Sequence, residues 1–231
     1  MPMRTNVQAA ILAAASLLPM LSGALPARAA EDGLYLAVHA GPNFLQGEDL
    51  DLDDGGRIEP DYRVGYHLGG AIGYGFGPLR VEAEVAHQRH DVDGGDSGGL
   101  AAEVGGLDGN VRILSFLVNG YYDIDIGHPL TPFVGAGAGV ARVWLNSVDA
   151  TVAAGGTSAT AELFDDADTV FAAQAVVGVS FDVNETWTTA FAYRFFAALG
   201  AEFDAGGPLN DSSAEADFFS HALRFEARYR F

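Results

Sequence analysis

Apolar and polar residues alternate along much of this chain with a period of two. After Thr186, Trp187, Phe191, Tyr193, Phe195 and Leu199 share one parity, and Thr188, Ala190, Ala192 and Arg194 the other. From Tyr62, the even positions read Tyr, Val, Tyr, Leu, then Ile72, Tyr74 and Phe76. The odd ones read Arg63, Gly65, His67, Gly69, Ala71, Gly73 and Gly75. From Leu79, Val81, Ala83 and Val85 oppose Arg80, Glu82 and Glu84. Near the end, Leu223, Phe225, Ala227, Tyr229 and Phe231 oppose Arg224, Glu226, Arg228 and Arg230. Side chains alternate faces along a strand, so each segment has a large apolar face and a small or ionic face.

Eight such strands are expected, near Leu34–Phe44, Tyr62–Phe76, Leu79–His90, Asn110–Ile124, Pro132–Val148, Thr169–Val183, Thr186–Leu199 and Glu215–Phe231. Three linkers are short: Gly77-Pro78, Asp125–Thr131 and Asn184-Glu185. Four are long and rich in Asp, Gly and Ser: Leu45–Asp61, Asp91–Gly109, Asp149–Asp168 and Gly200–Ala214. Long and short alternate strictly. An antiparallel up-and-down barrel with tight turns at one rim and loops at the other gives this order. A water-soluble barrel would bury its large apolar residues and expose its charges. Here the face opposite the large apolar residues is small, glycine-rich or ionic, which suits a narrow polar lumen inside a lipid-facing wall. The fold expected is therefore all-β, an eight-stranded transmembrane β-barrel.

The N-terminus sharpens that picture. Arg4 precedes an apolar run from Ala9 to Leu21, and Ala27-Arg28-Ala29 offers small residues for cleavage. Residues 1–29 read as a secretory signal peptide and 30–231 as one barrel domain. No later stretch approaches ~20 unbroken apolar residues, so no helical anchor is expected. Cysteine is absent, so no disulfide is needed in an oxidising compartment. All twelve basic residues are arginine, and the net charge is −19, which argues against a nucleic-acid partner.

Four segments carry a resemblance. They are Gly33-Leu34-Tyr35-Leu36-Ala37-Val38-His39-Ala40-Gly41-Pro42, Gly69-Gly70-Ala71-Ile72-Gly73-Tyr74, Pro132-Phe133-Val134-Gly135-Ala136-Gly137-Ala138-Gly139 and the terminal Arg228-Tyr229-Arg230-Phe231. In this order they resemble the small outer-membrane β-barrel family of Gram-negative bacteria, with its OmpA-like and opacity-porin-like members. The resemblance implies the cell outer membrane as location, reached through the periplasm. It implies lipids, lipopolysaccharide and the barrel-assembly machinery as partners, and Tyr229 and Phe231 as a C-terminal assembly signal. No peptidoglycan-binding domain is expected after the barrel.

Candidate chemistry lies in three places. Strand parity places Arg63, Arg80, Glu82, Glu84, Arg142, Arg194, Arg224, Glu226 and Arg228 in the lumen, as an ion pathway or as a structural network; the cost of an unpaired charge favours the network. Acidic loop residues Asp49, Asp51, Asp53, Asp91, Asp93 and Asp96 are weak calcium candidates, since neither run fits the EF-hand spacing. Of six histidines, His39 and His67 are placed to share the lumen. Ser220 and His221 are sequence neighbours on a strand, so they face opposite ways and do not form a nucleophile–base pair. No catalytic residue and no cofactor is expected. The function expected is a non-catalytic outer-membrane barrel that supports envelope integrity and displays acidic loops. The alternatives are a narrow ion or small-solute channel and, behind it, a barrel enzyme acting on lipid.

Overall fold

A computed structural model describes residues 32–46, 50–52, 57–98, 103–154, 157–204 and 213–231. Residues 1–29, expected from the sequence to be a signal peptide, lie outside them. The described residues form strands joined by turns: β1 (Gly33–Gln46), β2 (Leu50–Leu52), β3 (Arg57–Tyr62), β4 (Gly65–Phe76), β5 (Leu79–Gly98), β6 (Glu103–Asp123), β7 (Leu130–Ala154), β8 (Thr157–Asp182), β9 (Trp187–Asp204) and β10 (Ser213–Arg230). Eight of them close a barrel in the order β1-β4-β5-β6-β7-β8-β9-β10, and β10 returns to β1. All pairings are antiparallel. The closing seam runs from Tyr35↔Arg230 to Gln46↔Phe219.

The tight connections gather at one rim. Gly77-Pro78 joins β4 to β5, residues 124–129 join β6 to β7, and residues 183–186 join β8 to β9. Gly77 sits at φ +60°, a conformation that residues with a Cβ rarely adopt.

The other rim departs from the sequence reading. The segments Asp91–Gly109 and Asp149–Asp168 were expected as loops, but most of their length is strand. β7 and β8 run for 25 and 26 residues and are separated only by residues 155–156. A transmembrane strand needs only about 9–11 residues, so these hairpins stand well clear of a bilayer. Asp, Gly and Ser are poor strand formers in isolation, but continuous pairing with a neighbour satisfies their backbone groups.

The first long linker is also built into the wall. β2 and β3 form a small hairpin that pairs β10 on one side and β5 on the other, above the point where β1 ends and β4 begins.

The outer surface carries the large apolar side chains. Leu68, Ile72, Val81, Val118, Val177, Phe191 and Phe225 are all exposed on it. At the tight-turn rim the apolar wall ends in aromatic rings. Trp187 packs edge-on against Tyr229 at 5.1 Å between ring centres, and Tyr229 against Phe231 at 5.2 Å. Aromatics collect at membrane–water interfaces because their rings are amphipathic. Phe133, near the start of β7, does not join this ring; it points inward and is buried.

Outer-membrane barrels keep short turns in the periplasm. An epitope inserted at Gly155-Gly156 should therefore be tolerated and reached by antibody on intact cells. One inserted between Gly77 and Pro78 should be shielded. Surface labelling reads both, and the reverse pattern would invert the barrel.

Candidate functional site: the filled lumen

The inward face of β5 lays three ionic side chains in a row, Arg80, Glu82 and Glu84, because alternate residues share a face. All three are buried. β10 supplies Arg224, Glu226 and Arg228 by the same rule, and β9 supplies Arg194.

Glu84 is the hub. Its Oε2 accepts from Arg224 Nη1 at 3.0 Å and from Asn119 Nδ2 at 3.2 Å. Its Oε1 accepts from Gln174 Nε2 at 3.3 Å and lies 3.8 Å from Arg194 Nη2. His39 Nε2 stands 3.6 Å away. Gln174 also donates to Asn119 Oδ1 at 2.7 Å, and its own Oε1 accepts from Arg194 Nε. Arg194 is fully buried and lies over the Phe196 ring at 4.7 Å. Five strands, β1, β6, β8, β9 and β10, thus reach one carboxylate on β5.

Two further groups sit between the hub and the tight-turn rim. Glu226 takes Arg224 on one oxygen and Arg228 Nε, at 2.6 Å, on the other. Arg80 makes a two-pronged contact with Asp123, Nε to Oδ2 at 2.7 Å and Nη2 to Oδ1 at 2.9 Å. Tyr35 donates its hydroxyl to Glu82 Oε1 at 2.7 Å, and Arg80 Nη1 reaches the same oxygen at 3.2 Å. Below them the rim opens as a cavity of about 310 Å³, lined in part by Arg80, Asp123, Asp182 and Arg228.

Toward the long-hairpin rim the filling changes character. Val111, Ile113, Val143, Leu145, Phe196 and Phe218 are buried within the barrel. Beside them Gln88 Oε1 accepts from Asn43 Nδ2 at 2.6 Å and from Ser220 Oγ at 3.0 Å. His39 and His67 do share the interior, with ring centres 5.5 Å apart.

Glycine makes room for these rings. A Cβ on Gly69 would lie 2.4 Å from the His39 ring, and one on Gly73 would lie 2.3 Å from the Tyr35 ring. The glycine-rich odd face of β4 is the seat on which interior rings lie.

Seven of the nine residues placed in the lumen by parity are there: Arg80, Glu82, Glu84, Arg194, Arg224, Glu226 and Arg228. Two are not. Arg142 is exposed on the outer surface, because its neighbours Ala141 and Val143 take the inward positions of β7. Arg63 falls in the break between β3 and β4, where strand parity lapses, and it is exposed. Sequence reasoning missed Asp123, Asn119, Gln174 and Tyr121. Each sits at an inward position of β6 or β8, but their partnership with Glu84 and Arg80 depends on inter-strand register.

Of the acidic loop candidates, Asp49 and Asp53 lie outside the described residues. Asp51 falls on β2, and Asp91, Asp93 and Asp96 fall on β5. Asp91 accepts from Arg89 at 3.2 Å.

The architecture is that of a known family. The sequence profile of the outer membrane protein beta-barrel domain matches residues 11–231. The chain belongs to this family. It is an outer-membrane protein of the Gram-negative type. It is 27% identical over 151 residues to outer membrane protein PagN of Salmonella typhimurium, an alignment covering 58% of this chain and 63% of that protein. The chain thus spans less than two thirds of that relative. Among solved structures it is similar to the outer membrane protein OprG of Pseudomonas aeruginosa. The TM-score is 0.56 at 16% identity, over 87% of this chain and 98% of that one. It is also similar to neisserial surface protein A, at a TM-score of 0.50 and 17% identity, over 86% and 97%. At these identities the likeness is one of fold.

Proposed function

We propose that this protein is a non-catalytic outer-membrane barrel with a sealed lumen, which supports envelope integrity and carries acidic hairpins outside the cell. One observation carries the reading: Glu84 gathers polar and charged side chains from five strands around it in the middle of the barrel. A diffusion pore needs a continuous aqueous path, which belongs to barrels of about 16 strands or more. Here the central cross-section is occupied by Glu84, Arg194, Arg224, Gln174 and Asn119, with apolar side chains beyond them. Such a network ties the staves of the barrel to one another.

The surroundings of the wall would be lipid and lipopolysaccharide. Tyr229 and Phe231 would present the C-terminal strand to the barrel-assembly machinery; among the residues with described side chains Phe231 is the most exposed large apolar one. The network offers ion pairs to one another and no activated nucleophile.

Purified protein in planar bilayers is expected to show little steady conductance. Large, stable, ion-selective conductance would overturn the sealed reading in favour of a channel. Release of fatty acid or peptide from envelope substrates by the purified barrel would overturn the non-catalytic one.

A further inference from the structure

The barrel wall carries a patch of arginine that the lumen network does not use. Arg89 on β5 and Arg112 on β6 are direct cross-strand partners. Arg112 in turn faces Trp144 on β7, and Arg142 stands two residue pairs nearer the tight-turn rim, opposite Leu114. The guanidinium of Arg142 lies over the Trp144 ring at 5.5 Å. Arg112 and Arg142 are exposed, and the Arg89 side chain is 43% exposed. Tyr66 on β4 flanks Arg89, and Arg63 at the head of β4 donates its backbone N–H to the Asp91 carbonyl, which brings it to the same level.

Three features of this patch point to a ligand. The first is its height. Arg89 is ten residues along β5 from Leu79 at the tight-turn rim. At ~3.3 Å per residue and a tilt of ~40°, that is a rise of about 25 Å, the height of the apolar band of such barrels. The arginines thus stand where the acyl chains of the outer leaflet give way to head groups.

The second is asymmetry. The chain holds twelve basic residues against thirty-one acidic ones. Among residues with described side chains, the arginines exposed on the outer wall at this rim are Arg63, Arg89, Arg112 and Arg142, and all belong to the arc β4–β7. At the same level β8 and β10 show Thr169 and His221.

The third is incomplete pairing. Like charges directly opposite on a sheet repel. Arg89 has Asp91 at 3.2 Å. Arg112 bonds the neutral Asn110 Oδ1 at 3.2 Å, and among the described residues neither Arg112 nor Arg142 has a carboxylate within salt-bridge distance. An anion from outside the chain would resolve the repulsion.

We infer that the outer wall across β5, β6 and β7 is a binding site for a phosphorylated lipid head group of the outer leaflet, held by Arg112 and Arg142 with Arg89 beside them. Guanidinium forks bind phosphate oxygens in two-pronged fashion. Trp144 packs Arg142 and supplies the interfacial ring against which the acyl–sugar boundary rests. This deepens the proposal that lipopolysaccharide surrounds the wall, and it rests on outer-membrane placement, not on the sealed lumen.

The test uses the full mature barrel in mixed micelles, with diphosphorylated lipid A, dephosphorylated lipid A and inorganic phosphate as probes. Bound lipid is read by native mass spectrometry. Folding is read independently as the heat-dependent gel shift. Wild type is expected to retain diphosphorylated lipid A at least tenfold better than the Arg112→Gln/Arg142→Gln double variant. Arg230→Gln, which removes a charge at the other rim, should bind as wild type does. Dephosphorylated lipid A should bind the wild type no better than it binds the double variant, and millimolar inorganic phosphate should not displace the lipid. If the double variant does not fold, Arg112→Gln and Arg142→Gln are tested singly, each with an expected loss of threefold or more. Equal lipid retention by wild type and the folded variants would overturn the site. Displacement by inorganic phosphate would show an anion site for free phosphate and overturn the lipid assignment. Neither result would alter the conductance test of the sealed lumen, so the two readings fail separately.

Discussion

Glu84→Ala is expected to produce the largest loss of stability of any single change in the lumen. The carboxylate is 2% exposed and stands against Arg224, Arg194, Asn119, Gln174 and His39. Its removal leaves two guanidinium groups close together, with Glu226 paired to Arg224 and no other carboxylate among the described residues within salt-bridge distance of Arg194. Breaking a buried pair by deleting one partner costs about 3–5 kcal/mol. Water that enters through the rim cavity reduces this, so the range is an upper bound. The measurement is the temperature at which the folded band disappears in heat-modifiability gels. Glu84→Gln, which keeps oxygen and shape but not charge, should fall between wild type and alanine. An unchanged transition for Glu84→Ala would remove Glu84 from the stabilising network.

The second large effect is expected on the outer face. Phe225 is 59% exposed and packs against Phe191 with ring centres 5.0 Å apart. It lies six residues before Phe231, near the middle of the apolar band. Arginine at the midplane of a barrel's lipid face costs about 2–4 kcal/mol. Phe225→Arg should therefore slow or prevent insertion into lipid vesicles, while Phe225→Leu inserts normally. Insertion of Phe225→Arg at the wild-type yield would contradict a lipid-facing wall at this position.

These predictions draw on the part of the structure that the sequence states most clearly. In β4, β5, β9 and β10 the two faces differ sharply, large apolar against ionic or small, so parity alone assigns inside and outside. β7 offers no such contrast. Gly135 to Gly139 is small on both faces, and nothing near Arg142 says which parity is inward. Register was equally illegible. Asn119 and Gln174 look like ordinary strand residues until the pairings Glu82↔Asn119 and Gln174↔Phe196 bring them beside Glu84 and Arg194. The boundaries of the hairpins failed for a third reason. Asp, Gly and Ser signal a turn through local preference, whereas β7 and β8 extend to Ala154 and from Thr157 by pairing with each other. The arginine patch went unseen because Arg89, Arg112 and Arg142 are far apart in sequence and meet only through the pairings of β5 with β6 and of β6 with β7.

The β2–β3 hairpin has a bearing on life at a cell surface. Without it, the upper parts of β5 and β10 would each present an open row of backbone donors and acceptors where β4 and β1 stop. Open strand edges recruit other strands, from neighbouring molecules or from the substrate-binding clefts of proteases, which hold their targets in extended form. β2 occupies the β10 edge at Leu52 and Asp51, and β3 occupies the β5 edge from Arg57 to Tyr62. A protease arriving at this flank would find those main-chain groups already engaged, so the first linker serves as armour for the strands on either side of it.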